Sequence, residues 1–248
     1  MKKILITFLF TVTICLPSKL SAQEKEASTV IMNKVMNELK KPANSVDKAG
    51  EPNIKTIQPD GSWKGIAYKD KTIAGWLPAK HLINLETLIQ AYIEKTSRYY
   101  GDEKLFGQIS GAFQYWYDID PKSNNWWHNE IATPQALGEM LILMRYGKKQ
   151  LSPELEHQLI ERMKRGDIAK QTGANKTDIA LHIFYRALLT NDNDLLKFSV
   201  DQLFEPIKLV YYKEGIQYDY AYLQHGPQLQ ISSYGLVFIT GVLKMAIS

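Results

Sequence analysis

The stretch Thr133-Pro134-Gln135-Ala136-Leu137-Gly138-Glu139-Met140-Leu141-Ile142-Leu143-Met144, followed by Gly147 and then by Ser152-Pro153, sets the pattern for most of the chain. Leu137, Met140, Leu141 and Met144 recur at the spacing that puts apolar residues on one face of a helix. Thr133 is expected to cap the free amides, proline suits the first helical position, and Gly147 ends the helix. A second helix opens on Ser152-Pro153, turns Leu155, Leu159, Ile160 and Met163 inward and stops at Gly166.

The same reading extends to both sides. Leu82, Leu85, Leu88, Ile89, Tyr92 and Ile93 mark one helical face upstream, and Leu105, Phe106, Ile109, Ala112, Phe113 and Trp116 mark another. Downstream, a helix from about Asn175 to Leu189 carries Ile179, Ile183, Phe184, Ala187 and Leu188. The next carries Leu195, Leu196, Val200, Leu203 and Phe204 and stops near Pro206. A last helix starts near Ser232 or Ser233 with Leu236, Val237, Ile239 and Leu243 as its face. Loops between successive helices predict antiparallel pairs. The expected fold class is all-α, an incomplete α/α toroid in which an arc of antiparallel helical hairpins encloses a groove lined by loops. The final helix, Tyr234 to Ile247, runs to Ser248 without a cap, so residues 23–248 are expected to be the N-terminal part of a longer catalytic domain.

The N-terminus reads differently. Lys2-Lys3, an apolar run from Ile4 to Leu16 and the small pair Ser21-Ala22 before Gln23 make residues 1–22 a secretory signal peptide. Bulky Ile14 before Cys15 argues against a lipoprotein signal. Removal of the segment takes Lys2, Lys3 and Lys19 with it, which lowers the net charge from +4 to about +1. Attraction for a polyanion must then come from a local patch. The only cysteine also leaves, so the mature chain forms no disulfide and holds no thiolate metal site. A secreted or periplasmic monomer with no membrane segment after signal removal is expected. Residues 23–60 are polar and broken by Pro42, Gly50, Pro52 and Pro59, with one amphipathic helix near Val30–Leu39. Gly61 to Tyr68 reads as an extended or turn segment that contributes rings to packing.

Two segments fit no clean helical or strand period. One is Asn124-Asn125-Trp126-Trp127-His128-Asn129-Glu130-Ile131, the other runs from Gln217 to Gln228 and contains Gln224-His225-Gly226-Pro227. Rings beside amides suit a sugar, which offers apolar faces and hydroxyl edges together. Aromatic core packing with satisfied polar tips is the other reading. Both segments, and Thr172-Gly173-Ala174-Asn175, fall at loops or helix starts, where sites commonly sit.

Familiar catalytic signatures are absent: no G-x-S-x-G, P-loop, G-x-G-x-x-G or H-E-x-x-H occurs. His81, His128, His157, His182 and His225 show no close ligand spacing, so no metal and no other cofactor is expected. Arg162, Lys164, Arg165, Lys170 and Lys176 bracket Asn175; they form either a solvated face or a patch that attracts an acidic sugar chain. Near-zero charge and the lack of a reader motif argue against nucleic acid. Asn175-Lys176-Thr177 also matches a glycosylation acceptor, a triplet common by chance.

Taken in order, Asn125-Trp126-Trp127-His128-Asn129-Glu130-Ile131, Thr172-Gly173-Ala174-Asn175, and Gln224-His225-Gly226-Pro227-Gln228 followed by Tyr234-Gly235 resemble the chondroitin AC/hyaluronate/xanthan lyase family of polysaccharide lyases, nearest within it to chondroitin AC lyases. The resemblance covers about residues 30–248 and implies the first part of a helical toroid. It implies cleavage of an acidic polysaccharide substrate, chondroitin sulfate or hyaluronan, by β-elimination. Asn175 would neutralise the uronate carboxylate, Tyr234 would act as base and then acid, and His225 would orient the carboxylate or assist the proton transfer. Trp126 and Trp127 would stack on sugar rings, with Asn125 binding beside them. The family's arginines and a glutamate lie past Ser248, and they help to lower the pKa of a phenol that ordinarily titrates near pH 10. Ala132 stands where the motif commonly has glycine.

Two other readings stay open. A non-catalytic glycan-binding remnant would keep the aromatic platform without a complete site. An inverting glycoside hydrolase would need two carboxylates facing each other across the groove; Glu130, Asp219 and Asp178 are candidates but form no convincing pair in sequence.

Overall fold

The computed structural model describes residues 16–246. Most of the expected signal peptide, residues 1–15, lies outside the described residues. Nine α-helices occur among those described: α1 (Leu16–Leu39), α2 (Ala43–Thr56), α3 (Ala79–Ile93), α4 (Glu103–Ile119), α5 (Thr133–Met144), α6 (Pro153–Arg162), α7 (Gly173–Thr190), α8 (Asn193–Phe204) and α9 (Leu236–Ala246). The chain is an incomplete α/α toroid. Helices α3, α5, α7 and α9 stand side by side as the inner row, with α4, α6 and α8 packed behind them. The hairpins α3–α4, α5–α6 and α7–α8 are the antiparallel pairs expected from the periodicity. None of the described helices is long and apolar enough to cross a membrane.

The core follows the sequence pattern closely. Leu82, Leu85, Leu88, Ile89, Tyr92 and Ile93 of α3 are buried, as are Leu105, Ile109, Ala112, Phe113 and Trp116 of α4. Side chains at helix starts satisfy amides left free by the first turn: Asp102 accepts from Leu105 N–H at 2.7 Å, Ser152 from Leu155 at 3.3 Å and Asp192 from Leu195 at 2.9 Å.

Four elements depart from the sequence expectation. First, α2 runs straight through Gly50 and Pro52, which were expected to break the chain. Its packing against α3 overrides the local preference. Gly50 lets the helices approach so closely that a Cβ there would lie 3.1 Å from the Thr87 carbonyl and 3.2 Å from Ala91 Cβ. The late α2 carbonyls of Asn53 and Ile54 accept from Trp63 Nε1 and Gln108 Nε2, at 3.1 and 3.2 Å.

Second, Thr133 does not cap α5. It is buried, and the chain enters α5 already helical through a π-turn at His128–Ala132. Pro134 explains the widened turn, because it has no N–H to give to the Glu130 carbonyl four residues back. Third, the expected face of α9 is the wrong one: Leu236, Val237, Ile239 and Leu243 are exposed. Phe238 is buried with Ala174 and Tyr222, and Gly241 meets Thr177 of α7. The helix is apolar on most sides, so periodicity did not select a face. Fourth, a small four-stranded sheet in the order β1-β2-β3-β4 interrupts the helical pattern: β1 (Leu209–Val210), β2 (Gly215–Gln217), β3 (Tyr222–Gln224) and β4 (Gln228–Leu229). Strands of two or three residues are too short to show an alternation.

Two histidines are buried in this scaffold. His81 hydrogen-bonds Tyr68 Oη and the Ala112 carbonyl, each at 3.0 Å. His182 on α7 lacks a well-formed hydrogen bond at either ring nitrogen, with only loose support from the Glu130 carbonyl. Burial pushes their pKa values down to about 4 and about 3. An unfolded histidine takes up its proton near pH 6.5, so each native histidine costs stability as pH falls below that value. Asp178, raised to about 6 by burial, acts in the opposite sense over part of the same range. The comparison must therefore be between variants. Between pH 7 and pH 5 the native chain should lose roughly 2 kcal/mol more than His182→Leu, read from urea unfolding at both pH values. Equal losses would show that His182 is not the buried neutral group described.

Candidate active site

The Trp126-Trp127 pair is displayed by a loop that uses amides as struts. Asn129 accepts from Ser123 N–H at 2.9 Å and donates to the Ser123 carbonyl at 2.8 Å. Asn125 Oδ1 accepts from Trp127 N–H at 3.1 Å, while its Nδ2 donates to the Ile73 carbonyl at 3.2 Å. These bonds fix the turn, and the two indoles remain 40% and 39% exposed. Trp127 is backed by His128 at 5.2 Å between ring centroids, and His128 by Trp76 at 5.2 Å, which joins the surface indole to the core. A cleft of about 250 Å³ opens beside it, lined by Trp76, Ile83, Trp127, His128 and Met140 with Glu86 and Glu139.

The second part of the site is built at the N-terminus of α7. The Ala174 N–H donates to Tyr222 Oη at 2.8 Å and to Gln224 Oε1 at 3.1 Å, and the Tyr222 hydroxyl donates to the same Gln224 oxygen at 2.7 Å. Gln224 and Tyr222 are buried. This bond set clamps β3 to the first turn of α7 and places His225, the residue after Gln224, beside the turn that carries Asn175. Gly173 has φ +51°, and a Cβ there would collide with Gln224 Oε1 and the Tyr222 hydroxyl, so glycine is required.

His225 itself is left-handed, with φ 58°, and is followed by left-handed Gly226 in the β3–β4 turn. Glu214 holds this turn: it accepts from Gly226 N–H at 3.0 Å and from the Thr172 hydroxyl. Burial opposes ionisation of Glu214, but the bonds from Thr172, Gly226 and His225 outweigh it and keep its carboxyl below the usual range.

Tyr234 lies in a π-turn at Ile231–Gly235, which is tied to β3 by Gln230 N–H donating to the Tyr222 carbonyl at 2.9 Å. Its ring packs on the Ala174–Tyr222–Phe238 cluster and meets His225 edge to face, with centroids 4.7 Å apart and an interplanar angle of 85°. The Asn175 amide, the His225 imidazole and the Tyr234 hydroxyl make no hydrogen bond with other described residues.

One helix connects the two parts. Ile131 of the tryptophan-bearing turn packs on Ile179 and Ile183 in the middle of α7, while Asn175 stands in its first turn. Two sequence expectations look different in the structure. The five cations bracketing Asn175 are each ion-paired: Arg162 and Arg165 with Asp120, Lys164 with Glu161, Lys170 with Asp167 and Lys176 with Glu205. They form no free basic patch.

The carboxylates weighed for a hydrolase are also placed apart by role. Asp178 is buried on α7 beside Gln135, Asp219 accepts from Ala221 N–H in a hairpin turn, and Glu130 belongs to the π-turn. No group of three or more histidine, cysteine or carboxylate side chains among the described residues could hold a metal ion. Gln224, Tyr222 and Glu214 received no role from the sequence. Gln224 stood within a quoted motif, but nothing local signals that its partner is an amide fifty residues away.

A helical toroid arc carrying this arrangement is that of a known class. The family described as polysaccharide lyase family 8, N terminal alpha-helical domain, matches residues 23–247, and the chain belongs to this family. It is 65% identical over 246 residues to a chondroitinase-AC from Pedobacter heparinus, covering 99% of this chain and 35% of that protein. It is 26% identical over 185 residues to the hyaluronate lyase HylB of Enterococcus faecalis, covering 64% of this chain and 18% of that one.

A solved chondroitinase AC lyase, determined in complexes with oligosaccharides, superposes with a TM-score of 0.87 at 69% identity, over 88% of this chain and 32% of that one. A chondroitin AC lyase of Streptomyces coelicolor A3 shares the fold with a TM-score of 0.77 at 16% identity, over 90% and 33% of the two chains. The chain thus spans about a third of the length of its most similar relatives named here.

Gln224→Leu removes the acceptor shared by Ala174 and Tyr222. It should cost about 1–3 kcal/mol in denaturant unfolding, because a buried amide loses one of its two partners. A change within 0.5 kcal/mol would show that the clamp does not hold the two motifs together.

Proposed function

We propose that residues 23–248 form the N-terminal part of the catalytic toroid of a polysaccharide lyase that cleaves chondroitin sulfate or hyaluronan by β-elimination. The observation that carries this reading is the convergence of Asn175, His225 and Tyr234 around the α7 N-terminus, with their polar groups unspent while neighbouring amides are committed to the scaffold. The high identity to a chondroitinase-AC across nearly the whole chain supports it.

In this reading the Asn175 amide donates to the uronate carboxylate. The first turn of α7 adds the positive end of a helix dipole. Together they stabilise negative charge that spreads into the carboxylate as the C5 proton leaves. The Tyr234 oxygen, entering as phenolate, accepts that proton. The C5–H electron pair forms the C4–C5 double bond, the C4–O4 bond breaks, and the departing O4 takes the proton back from Tyr234. His225, edge-on to the tyrosine ring, orients the carboxylate or assists this transfer. Trp126 and Trp127 offer ring faces to the sugars. Asn125 holds the pair in place and keeps one amide hydrogen for a sugar hydroxyl.

The partner is an acidic polysaccharide, and the protein acts as a secreted or periplasmic monomer after loss of residues 1–22. The family match begins at residue 23, immediately after the expected cleavage site, which supports that processing. Residues past Ser248 would supply the arginines implied by the resemblance.

The test is the near-ultraviolet absorbance of an unsaturated uronate product, followed on chondroitin sulfate and hyaluronan. Where the parent is active, Tyr234→Phe should abolish the rise, and Asn175→Ala should lower kcat by about 10²–10³. Activity retained in Tyr234→Phe would overturn the assigned proton transfer. Binding without any product from the folded parent would favour the glycan-binding remnant instead.

A further inference from the structure

Tyr211, Tyr212, Tyr218 and Tyr220 are 68–82% exposed, unlike the buried Tyr92, Tyr185 and Tyr222. They lie in the connections flanking β2, and three of them line a hollow of about 400 Å³ with Gln217, Asp219, Leu223 and Pro227. Tyr211 and Tyr212 meet edge to face at 4.9 Å. Leu223 and Pro227 flank Gln224-His225-Gly226, so the hollow adjoins the His225 turn directly.

Two of these tyrosines occupy backbone positions that favour glycine. Tyr212 has φ 49° and Tyr220 has φ 64°. Tyr220 closes the β2–β3 hairpin, where Tyr220 N–H donates to the Gln217 carbonyl at 2.9 Å and Gln217 N–H to the Ala221 carbonyl at 2.8 Å. Glycine or asparagine fills such a left-handed position at lower cost than a bulky side chain. A solvent-exposed phenol kept there is retained against the local preference of the backbone, which directs attention to what the ring does.

The chemistry of the hollow is specific enough to name its occupant. Phenol rings offer flat apolar faces with a polar edge, as sugar rings require. Gln217 is buried and spends its side chain on Tyr212 N–H and on the Lys213 and Gly215 carbonyls, so it shapes the loop. Asp219 is occupied by Ala221 N–H. The flat rings match the sugar faces, and the acidic character of the occupant follows from the proposed substrate.

We infer that the tyrosine-lined hollow beside the His225 turn is an additional carbohydrate subsite, which holds the extension of an acidic polysaccharide beyond the sugars at Asn175 and Tyr234. This rests on the proposed polysaccharide substrate, and the test separates the two. Binding of a tetrasaccharide and of polymeric chondroitin sulfate and hyaluronan is titrated at fixed low salt for the parent, Trp126→Ala, Tyr212→Gly and the double variant Tyr211→Ser/Tyr218→Ser. Tyr212→Gly removes a ring that lines the hollow and relaxes a left-handed position, so it should melt at or above the parent temperature while binding the polymer about three- to tenfold more weakly. Tyr211→Ser/Tyr218→Ser should weaken polymer binding similarly without touching a left-handed residue. The tetrasaccharide should be bound as by the parent in both, whereas Trp126→Ala should weaken both ligands.

Parental polymer affinity in the tyrosine variants, with Trp126→Ala impaired, would overturn the subsite and leave the substrate reading standing. Equal loss for tetrasaccharide and polymer would place the tyrosines in the main site and also overturn the extension. If the parent bound neither ligand, the substrate reading and the subsite would both fall. A change in sedimentation without a change in glycan binding would make the hollow an interface between copies and reject the proposal.

Discussion

The site depends on one amide at the start of a buried helix. Ala174 N–H lies in the first turn of α7, where helical bonding leaves donors unpaired, and it is buried too deeply for water to serve. Tyr222 and Gln224 satisfy it from another part of the chain. Because β3 is short, fixing Gln224 fixes His225, and the bond from Gln230 to the Tyr222 carbonyl then draws in the turn bearing Tyr234. Helix α7 is buried along most of its length and packs on α5, α8 and α9, so a shift of this end would open those contacts.

The polar groups around this helix divide into two sets. Asn129, Gln217 and Gln224 are consumed largely by backbone groups and give loops their shape, and Asn125 is tied to the backbone at Oδ1 and through one Nδ2 bond. Asn175, His225 and Tyr234 have no such partners among the described residues, and the Tyr234 ring meets His225 edge to face. Charge follows the same division. Asp120 gathers Arg162, Arg165 and Lys122, and burial of its carboxyl is outweighed by Arg165 and Lys122, which keep it ionised below the ordinary range. Lys164, Lys170 and Lys176 are paired in the same way, so the cations that bracket Asn175 form no free basic patch.

Backbone strain is concentrated in the same region. Of the non-glycine residues with positive φ, Asp120 and Asn191 end helices, whereas Tyr212, Tyr220 and His225 all lie between β1 and β4. Left-handed ends of helices are ordinary chain terminations. Left-handed aromatic and imidazole residues in surface turns are less common, and among the described residues they cluster in the small sheet beside the α7 clamp.

Helix content and the inward faces of α3, α4, α5 and α6 were legible in the sequence, because burial of one stripe on a long helix writes a period that no other element shares. The three ordered motifs likewise carried the family and the candidate residues Asn175, His225 and Tyr234. Helix α2 was hidden, since Gly50 reads as a breaker until α3 lies against it. The face of α9 was hidden because a helix apolar on most sides has no preferred direction until Tyr222 and α7 supply one. The pairing of the basic run with carboxylates, the sheet of very short strands and the commitment of Gln224 to Ala174 depend on contacts between residues far apart along the chain. Local composition determined which residues this protein has for chemistry; only tertiary packing decided which of them remain free to perform it, because a hydrogen-bonding group already satisfied by the scaffold has little left to offer a ligand.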